Sequence, residues 1–292
     1  MSEEPASAGP RQGRLVLVGT PIGNLKDLTP RAAETLATAD VIACEDTRHT
    51  GTMLARSGIA ARRLLSLHDH NEVSRIPEVL ELLSSGRTVA LVSDAGMPTV
   101  SDPGARLVAA AAEAGLLVTV VPGPSAAIAA LAVSGLASGR YAFEGFLARR
   151  GPARHERLAA IVASTCPSII FEAPVRLAAT LRDLVAVCGA DRRVAVCREL
   201  TKIYEETWRG TVGDAADRAA ATPPRGEHVV VVDGGPGPAG PSRAELEQQL
   251  LQRMETGMLT RQAVDEVVAS FGAPRREVYE LAIELGRSRG DR

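Results

Sequence analysis

The sequence has little lysine, few aromatic residues and no long apolar run. Lys26 and Lys202 are the only lysines among 33 basic residues, and aromatic residues make up 3% of the chain. No apolar stretch approaches the roughly 20 residues of a membrane-spanning helix. The acidic N-terminal stretch also lacks the apolar core of a secretory signal. We therefore expect a cytoplasmic protein without a membrane segment.

Cysteine and nucleotide-binding motifs are sparse as well. The four cysteines are widely spaced without a CxxC pair, which predicts free thiols and neither zinc nor disulfides. GxGxxG, GK[ST] and GxSxG are all absent, which disfavours a dinucleotide site, a P-loop and an α/β-hydrolase nucleophile. His68 and His70 flank Asp69, and we expect an exposed polar loop there, because alternate residues of an extended chain point to opposite sides. The net charge of −2 disfavours nonspecific nucleic-acid binding but permits a local basic patch.

Apolar strands alternate with helical segments, and polar clusters follow the strands. This alternation predicts an α/β fold with a parallel sheet and right-handed crossovers. The predicted strands of the first half are Leu15–Val18, Val41–Cys44, Leu64–Leu67, Thr88–Val92 and Leu117–Val121. Those of the second half are Ser168–Phe171, Arg193–Cys197 and Val229–Val232, with an extended, antiparallel segment at Glu205–Gly210.

The chain is long enough for two α/β domains, each with its own core. We predict a disordered tail over residues 1–13, an N-terminal α/β domain with the parallel sheet over 14–137, and a C-terminal α/β domain over 138–234. A Gly/Pro linker follows, and a small helical appendage covers 242–292 with three helices: Ser242–Glu255, Thr260–Ala269 and Arg275–Gly286.

The stretch from Thr88 to Gly104, TVALVSDAGMPTVSDPG, is the most informative motif. A buried strand runs into a loop with two Ser-Asp pairs, two Gly and two Pro. This loop is longer than the roughly 2–6 residues of an ordinary βα connection, and open α/β sheets bind ligands at the carboxyl ends of their strands. The first Ser-Asp pair is therefore predicted to contact a ligand. The second is predicted to start a helix over Asp102–Ala114, with Asp102 as N-cap and Pro103 at the first helical position.

Several stretches together resemble a known family. VGTPIGNLKDLTPRA, CEDTRHT, LHDHNE, LVSDAGMPTVSDPG, VPGPSAAIAAL, FEGFL, FEAPVRL, CRELTKIYEE and RGEHVVVV follow one another from Leu15 to Val232. In these motifs the chain resembles the tetrapyrrole methylase superfamily, and within it the branch that methylates the 2′-hydroxyl of a cytidine in the decoding region of 16S rRNA. The resemblance implies two α/β domains with S-adenosylmethionine between them, a homodimer, and 16S rRNA or the 30S subunit as partner.

The resemblance also implies site residues. S-adenosylmethionine carries no phosphate, so its site needs backbone groups, one or two carboxylates and an apolar slot. The implied cofactor residues are Ser93, Asp94, Ala95, Gly96, Met97, Ser125, Ala126, Phe171, Leu200, Glu227 and His228. The family commonly has Thr where this chain has Met97, and His where it has Val175.

For the chemistry, a base would take the proton of the attacking hydroxyl. Asp46, Glu45 and Lys202 are the candidates. Alternatively, Glu45, Asp46 and Arg48 form an ion-pair cluster that caps the sheet. The predicted substrate-binding residues are Gly19, Thr20, Pro21, Gly23, Arg48, Arg149, Arg150 and Arg154. Arg275 and Arg276 are further candidate phosphate contacts at a helix N-terminus.

Two alternative functions remain open on the residues alone. One is a precorrin or other tetrapyrrole methyltransferase, which would not need the arginines at 149–157. The other is a noncatalytic RNA-binding module of ribosome assembly, which would bind without turnover.

Overall fold

A computed structural model describes residues 13–236 and 241–290 of the chain. The chain divides after Gly234 into two compact units. Most of the predicted tail and the centre of the predicted Gly/Pro linker, residues 1–12 and 237–240, lie outside the described residues. No helix among the described residues has the length and apolarity needed to cross a membrane.

The first sheet is parallel throughout, as predicted, and has the strand order β3-β2-β4-β1-β5. Its central strands are buried on both faces, because their apolar runs leave no polar side to face water. The strands are β1 (Arg14–Val18), β2 (Val41–Cys44), β3 (Leu64–Ser66), β4 (Thr88–Leu91) and β5 (Leu117–Val121). The helices are α1 (Pro30–Thr38), α2 (Thr47–Arg56), α3 (Glu72–Ser84), α4 (Ala105–Glu113) and α5 (Ala126–Ser134).

The start of α4 corrects the sequence prediction. The helix begins at Ala105, and Gly104 is its N-cap with φ 115°, so the predicted N-cap Asp102 is wrong. The cap comes instead from Glu72 in the first turn of α3. Its Oε1 accepts hydrogen bonds from the backbone N–H of Arg106 (2.9 Å) and Leu107 (3.1 Å). Asp102 therefore does not cap this helix.

The second sheet is mixed and has the strand order β6-β7-β10-β8-β9. Only β6 and β7 pair in parallel; the other neighbours are antiparallel, including the predicted segment at β9. The strands are β6 (Ala142–Phe146), β7 (Ser168–Glu172), β8 (Arg193–Arg198), β9 (Glu206–Thr211) and β10 (His228–Val232). The helices are α6 (Pro152–Ala163), α7 (Pro174–Cys188) and α8 (Val212–Ala221).

Helix α5 links the two sheets. It follows β5 in the chain, yet its buried residues Ala130 and Leu131 share a core cluster with Ile169, Ala195 and Val231 of the second sheet. The small alanines allow the helix to lie close against the strands. The predicted domain boundary between residues 137 and 138 follows this helix, and as a domain boundary it stays a prediction.

The second unit is a small three-helix group made of α9 (Arg243–Glu255), α10 (Thr260–Phe271) and α11 (Arg275–Gly290). Ser242 and Glu245 form a capping box at the start of α9. Leu250, Val264 and Val278 lie in one buried apolar cluster that the three helices share. The three helices that the sequence predicts are present.

Candidate active site

The carboxyl edge of the first sheet is held together by backbone contacts. Thr20 N–H donates to the Gly96 carbonyl (2.8 Å), and Gly96 N–H donates to the Thr20 carbonyl (3.2 Å). Gly19 lies so close to the turn after β5 that a Cβ on it would be 2.6 Å from Gly123 Cα. The turn after β1 therefore fixes the loop after β4 in place.

A cavity of about 390 Å³ opens beside this loop, and both halves of the first unit line it. Its volume lies within the roughly 300–1,000 Å³ of small-molecule sites. Its lining residues come from the turn after β1, the loop after β4, the start of α5 and the ends of β6, β7, β8 and β10. Ile22, Phe146, Phe171, Leu200 and Val229 supply apolar surface, and Asp94, Asp102, Glu172, Glu199 and Glu227 supply carboxyl groups.

The predicted cofactor residues converge on this cavity. All of them except Ser93 line it, although they come from five separate segments of the chain. Ser93 is buried beneath the cavity, and its carbonyl accepts a hydrogen bond from Thr20 Oγ1 (3.2 Å). Their roles toward a cofactor stay a prediction.

Sequence reasoning missed several lining residues. Asp102 is the most consequential, because burial, followed by the neighbouring carboxyl groups, raises its pKa to about 6. Ile22 and Glu172 were missed because nothing in their own motifs indicates which way they face. The repeated Ser-Asp pair was the available signal for Asp102.

The chemistry of the lining fits S-adenosylmethionine. His228 is 6% exposed, and its Nδ1 is buried without a hydrogen-bond partner in the described part of the chain. Burial lowers the pKa of His228, so a neutral imidazole lines the cavity. None of the described lining residues is Lys or Arg, which suits a cationic ligand without phosphate. No group of three or more described His, Cys, Asp or Glu residues could hold a metal ion.

A wider groove of about 1,260 Å³ adjoins the cavity. Of the predicted substrate-binding residues, Pro21, Gly23 and Arg48 line it, whereas Gly19 and Thr20 do not; their roles toward a substrate stay a prediction. The groove and the cavity share one edge. Ile22, Asp94, Ala95, Glu199 and Glu227 line both.

Lys202 lines the groove as an ammonium paired with two carboxylates of the shared edge. Its Nζ donates to Glu199 Oε1 (3.0 Å) and Glu227 Oε2 (2.8 Å). Partial burial alone would lower the pKa of Lys202, but the hydrogen bonds to the two carboxylates outweigh it and raise the pKa. The stem of Lys202 lies against Gly23, where a Cβ would not fit. Lys202 is therefore built to carry a charge rather than to accept a proton.

The CEDTR segment contains an ion pair between Asp46 and Arg48, and no ion pair among the described residues involves Glu45. Asp46 is the N-cap of α2, and its Oδ1 accepts from Arg48 N–H (2.8 Å). The side-chain hydrogen bond from Arg48 is the main reason that the pKa of Asp46 falls to about 2. Glu45 lines neither the cavity nor the groove, and burial raises its pKa.

The predicted arginine patch is divided between surface and interior. Arg149 and Arg150 are exposed, and no ion pair in the described residues involves them. Arg154 is buried, and its guanidinium donates to Asp183 Oδ2 (2.6 Å), Thr180 Oγ1 (3.1 Å) and the Ala148 carbonyl (3.0 Å). This geometry does not fit the predicted phosphate contact of Arg154, because its donors are already used.

Two other sequence features lie away from the cavity. Val175 is 91% exposed and lines neither the cavity nor the groove. Arg275 is ion-paired with Asp265, and Arg276 with Glu280, so both guanidinium groups already have carboxylate partners.

Comparison with known proteins shows the class of protein to which the chain belongs. Residues 14–216 match the family described as tetrapyrrole (corrin/porphyrin) methylases. Solved structures with the same fold include a cobalt precorrin-4 methyltransferase (TM-score 0.58, 19% identity, 78% of this chain and 97% of that one). A uroporphyrin-III C-methyltransferase from Thermus thermophilus complexed with S-adenosylhomocysteine is similar as well (TM-score 0.56, 18% identity, 76% of this chain and 97% of that one).

Relatives with higher sequence identity to this chain narrow the class of protein. A ribosomal RNA small subunit methyltransferase I from Synechocystis is 46% identical over 94% of this chain and 98% of its own length. Proteins of the same name from Mycobacterium tuberculosis (43% identity, 95% and 97%) and Escherichia coli O157:H7 (41% identity, 95% and 97%) match as fully. The chain belongs to the tetrapyrrole methylases and, within them, to the family of ribosomal RNA small subunit methyltransferase I.

Proposed function

We propose that this protein transfers a methyl group from S-adenosylmethionine to the 2′-hydroxyl of a cytidine in the decoding region of 16S rRNA. The observation that carries this proposal is the shared edge between a small cavity without Lys or Arg among its described lining residues and a wide groove lined by Lys26, Arg48, Arg56 and Lys202. A methyl donor in the cavity and a polyanion in the groove would meet there. We place the activity in the cytoplasm, on the 30S subunit.

Residues of both halves would hold the cofactor. The apolar faces of Phe171, Leu200 and Ile22 suit an adenine ring. Gly96 and Ala126 leave space for close approach. When bound, S-adenosylmethionine supplies a methyl group on a positively charged sulfur.

The groove offers contacts for RNA. Lys26 and Arg56 line it without an ion pair among the described residues, whereas Arg48 and Lys202 line it beside carboxylates. Arg149 and Arg150 are further exposed arginines. Tyr204 is 69% exposed at the groove, and an exposed aromatic ring is the kind of side chain on which an unpaired base stacks. We therefore assign phosphate contacts to the arginines and a base contact to Tyr204.

The shared edge also suggests which group takes the proton of the hydroxyl. Asp46 is a weak base with a pKa of about 2, and Lys202 is held as an ammonium by Glu199 and Glu227. Asp94 lines both spaces, and a hydrogen bond from Asp46 N–H (3.3 Å) reaches its Oδ1. We therefore assign to Asp94 the role of the base that accepts the proton of the 2′-hydroxyl. Asp46 positions Arg48, and Lys202 orients the substrate.

A homodimer is part of the proposal. β5 is an edge strand of the first sheet, and Leu117 (45%) and Val120 (47%) on it are exposed. Exposed apolar side chains on an edge strand favour association with another chain. Sedimentation analysis should give a dimer, and Val120→Glu should shift it toward the monomer. A monomeric wild type would contradict this part of the proposal.

The proposal is tested with radiolabelled S-adenosylmethionine offered with 30S subunits, naked 16S rRNA or a porphyrinoid. We expect label in the RNA. Ala126→Leu fills the cavity and should abolish transfer, whereas Ala132→Leu, exposed on the same helix α5, should not. Label in the porphyrinoid would favour the precorrin-type alternative, and binding of the cofactor without transfer would favour the noncatalytic one.

A further inference from the structure

Asp102 belongs to the wall of the cavity rather than to a helix. It follows Ser101, whose backbone φ is 68°, in a loop where Thr99 also has a positive φ of 71°. Such conformations are unfavourable for residues other than glycine and persist where surrounding structure enforces them. Ser101 lies against Gly145 of β6, where a Cβ would be 2.7 Å from Ser101 Oγ. The loop is thus fixed from both halves with Asp102 half-buried in the wall.

The surroundings of Asp102 are negative. Glu45 after β2, Asp69 after β3 and Asp94 after β4 all raise the pKa of Asp102, after burial as the largest cause. Ser93 alone opposes the shift, through a hydrogen bond. His68 lies near Glu45. No ion pair in the described residues involves Glu45, Asp69, Asp94 or Asp102, so four carboxyl groups from three strand ends lack a cationic side chain.

Each remaining carboxylate of the cavity has a cationic side chain beside it. Glu172 is ion-paired with Arg176 Nε (3.1 Å) and accepts a hydrogen bond from Thr180 Oγ1 (2.6 Å). Glu199 and Glu227 share the ammonium of Lys202. Among the carboxyl groups that line the cavity, only Asp94 and Asp102 have no cation beside them in the part of the chain that the structure describes. A buried carboxylate without a counter-ion is costly, and a cationic ligand would relieve that cost.

We propose that Asp102 is the counter-ion of the positive sulfur of S-adenosylmethionine, and that it makes the cavity distinguish this ligand from the uncharged thioether S-adenosylhomocysteine. This inference rests on the proposed function, because it needs the cofactor in this cavity. Once the methyl group leaves the sulfur for the substrate oxygen, the sulfur is neutral and the attraction to Asp102 ends. Asp102 would thereby favour exchange of the product for a new donor molecule.

Comparing S-adenosylmethionine with S-adenosylhomocysteine shows the effect of the charged sulfur alone, because both ligands carry the same carboxylate, ammonium, ribose and adenine. Titration calorimetry at pH 7.5 should therefore compare both on the wild type and on Asp102→Asn. Asp102→Asn removes the attraction between the carboxylate and the positive sulfur. At an effective dielectric constant near 20, we expect this loss to weaken binding of S-adenosylmethionine about tenfold or more, and binding of S-adenosylhomocysteine less than about threefold. Asp69→Asn is the matched control: Asp69 belongs to the same acidic group but is exposed and does not line the cavity. It should change both affinities by less than about threefold.

The pH dependence of the wild type gives a second measurement that needs no variant. Because the pKa of Asp102 is about 6, the affinity for S-adenosylmethionine should fall as the pH decreases through 6, more steeply than that for S-adenosylhomocysteine. Equal losses for both ligands in Asp102→Asn, or parallel pH profiles, would overturn the inference while leaving the cofactor site in place. A wild type that binds neither ligand would overturn the proposed function as well.

Discussion

Glu72→Ala removes the carboxylate that caps helix α4 and so tests how the loop before that helix is held. Glu72 is 4% exposed, and its Oε1 accepts hydrogen bonds from Arg106 N–H and Leu107 N–H. No side chain of the loop itself caps the helix, because Gly104 is the N-cap. The alanine variant therefore leaves two backbone donors unpaired at the first turn.

The size of the effect follows from those two bonds. A hydrogen bond to a charged group contributes about 1.5–3 kcal/mol, and part of this loss is recovered where water reaches the Arg106 N–H, whose hydrogen bond is only partly buried. We expect Glu72→Ala to lower the free energy of unfolding by about 2–4 kcal/mol. Glu72→Gln keeps an acceptor oxygen and loses the charge at the helix N-terminus, so its loss should be about 0.3–1 kcal/mol.

Urea unfolding followed by far-UV circular dichroism measures these differences. The fluorescence of Trp208, the single tryptophan, on β9 reports the second sheet independently. Glu81→Ala, an exposed position on the same helix α3, is the control and should change stability by less than about 0.5 kcal/mol. The account of the cap would be refuted if Glu72→Ala were as stable as Glu81→Ala.

Three further outcomes follow from the surroundings of single residues. Gly19→Ala should lower the free energy of unfolding by about 1–3 kcal/mol, because its Cβ would meet the backbone of the turn after β5. Gly51 lies inside α2, and its Cβ would only reach Leu64 Cδ1 at 3.7 Å, so Gly51→Ala should raise the free energy of unfolding by about 0.5–1 kcal/mol. Arg154→Ala should cost about 1–3 kcal/mol in the same urea experiment and leave the salt dependence of RNA binding unchanged. Replacing Arg149 and Arg150 by Ala should change the free energy of unfolding by less than about 0.5 kcal/mol. The slope of log RNA affinity against log salt concentration should become shallower by about 0.7–0.9 for each phosphate that no longer contacts an arginine.

Much of the fold could be predicted because it depends on local patterns. The apolar runs of β1, β2 and β4 indicate strands buried on both faces, and Thr29 and Pro30 mark the start of α1, where Thr29 Oγ1 accepts from Ala32 N–H (3.1 Å). Strand β6 was missed because Ala142–Phe146 contains Glu144 and Gly145, is half-exposed and has an irregular register between Phe143 and Gly145.

The site was less predictable, because side-chain roles depend on partners far away in the chain. Asp102 has the sequence of an N-cap, but the cap comes from Glu72, 34 residues from Arg106. Arg154 has the sequence of a surface cation, but Asp183, 29 residues further on, holds it inside. The predicted lining residues from the second half, Phe171, Leu200, Glu227 and His228, were identified through family resemblance, since periodicity does not show which strand ends meet across a cavity.

The central claim is that this chain methylates a ribose of the small-subunit RNA. Its most direct test is to incubate the protein and S-adenosylmethionine with 30S subunits that lack the modification, digest the RNA to nucleosides, and identify and map the methylated product by mass spectrometry. We expect one 2′-O-methylcytidine in the decoding region of 16S rRNA. A methyl group on a base, on another nucleotide or on no RNA at all would contradict the account.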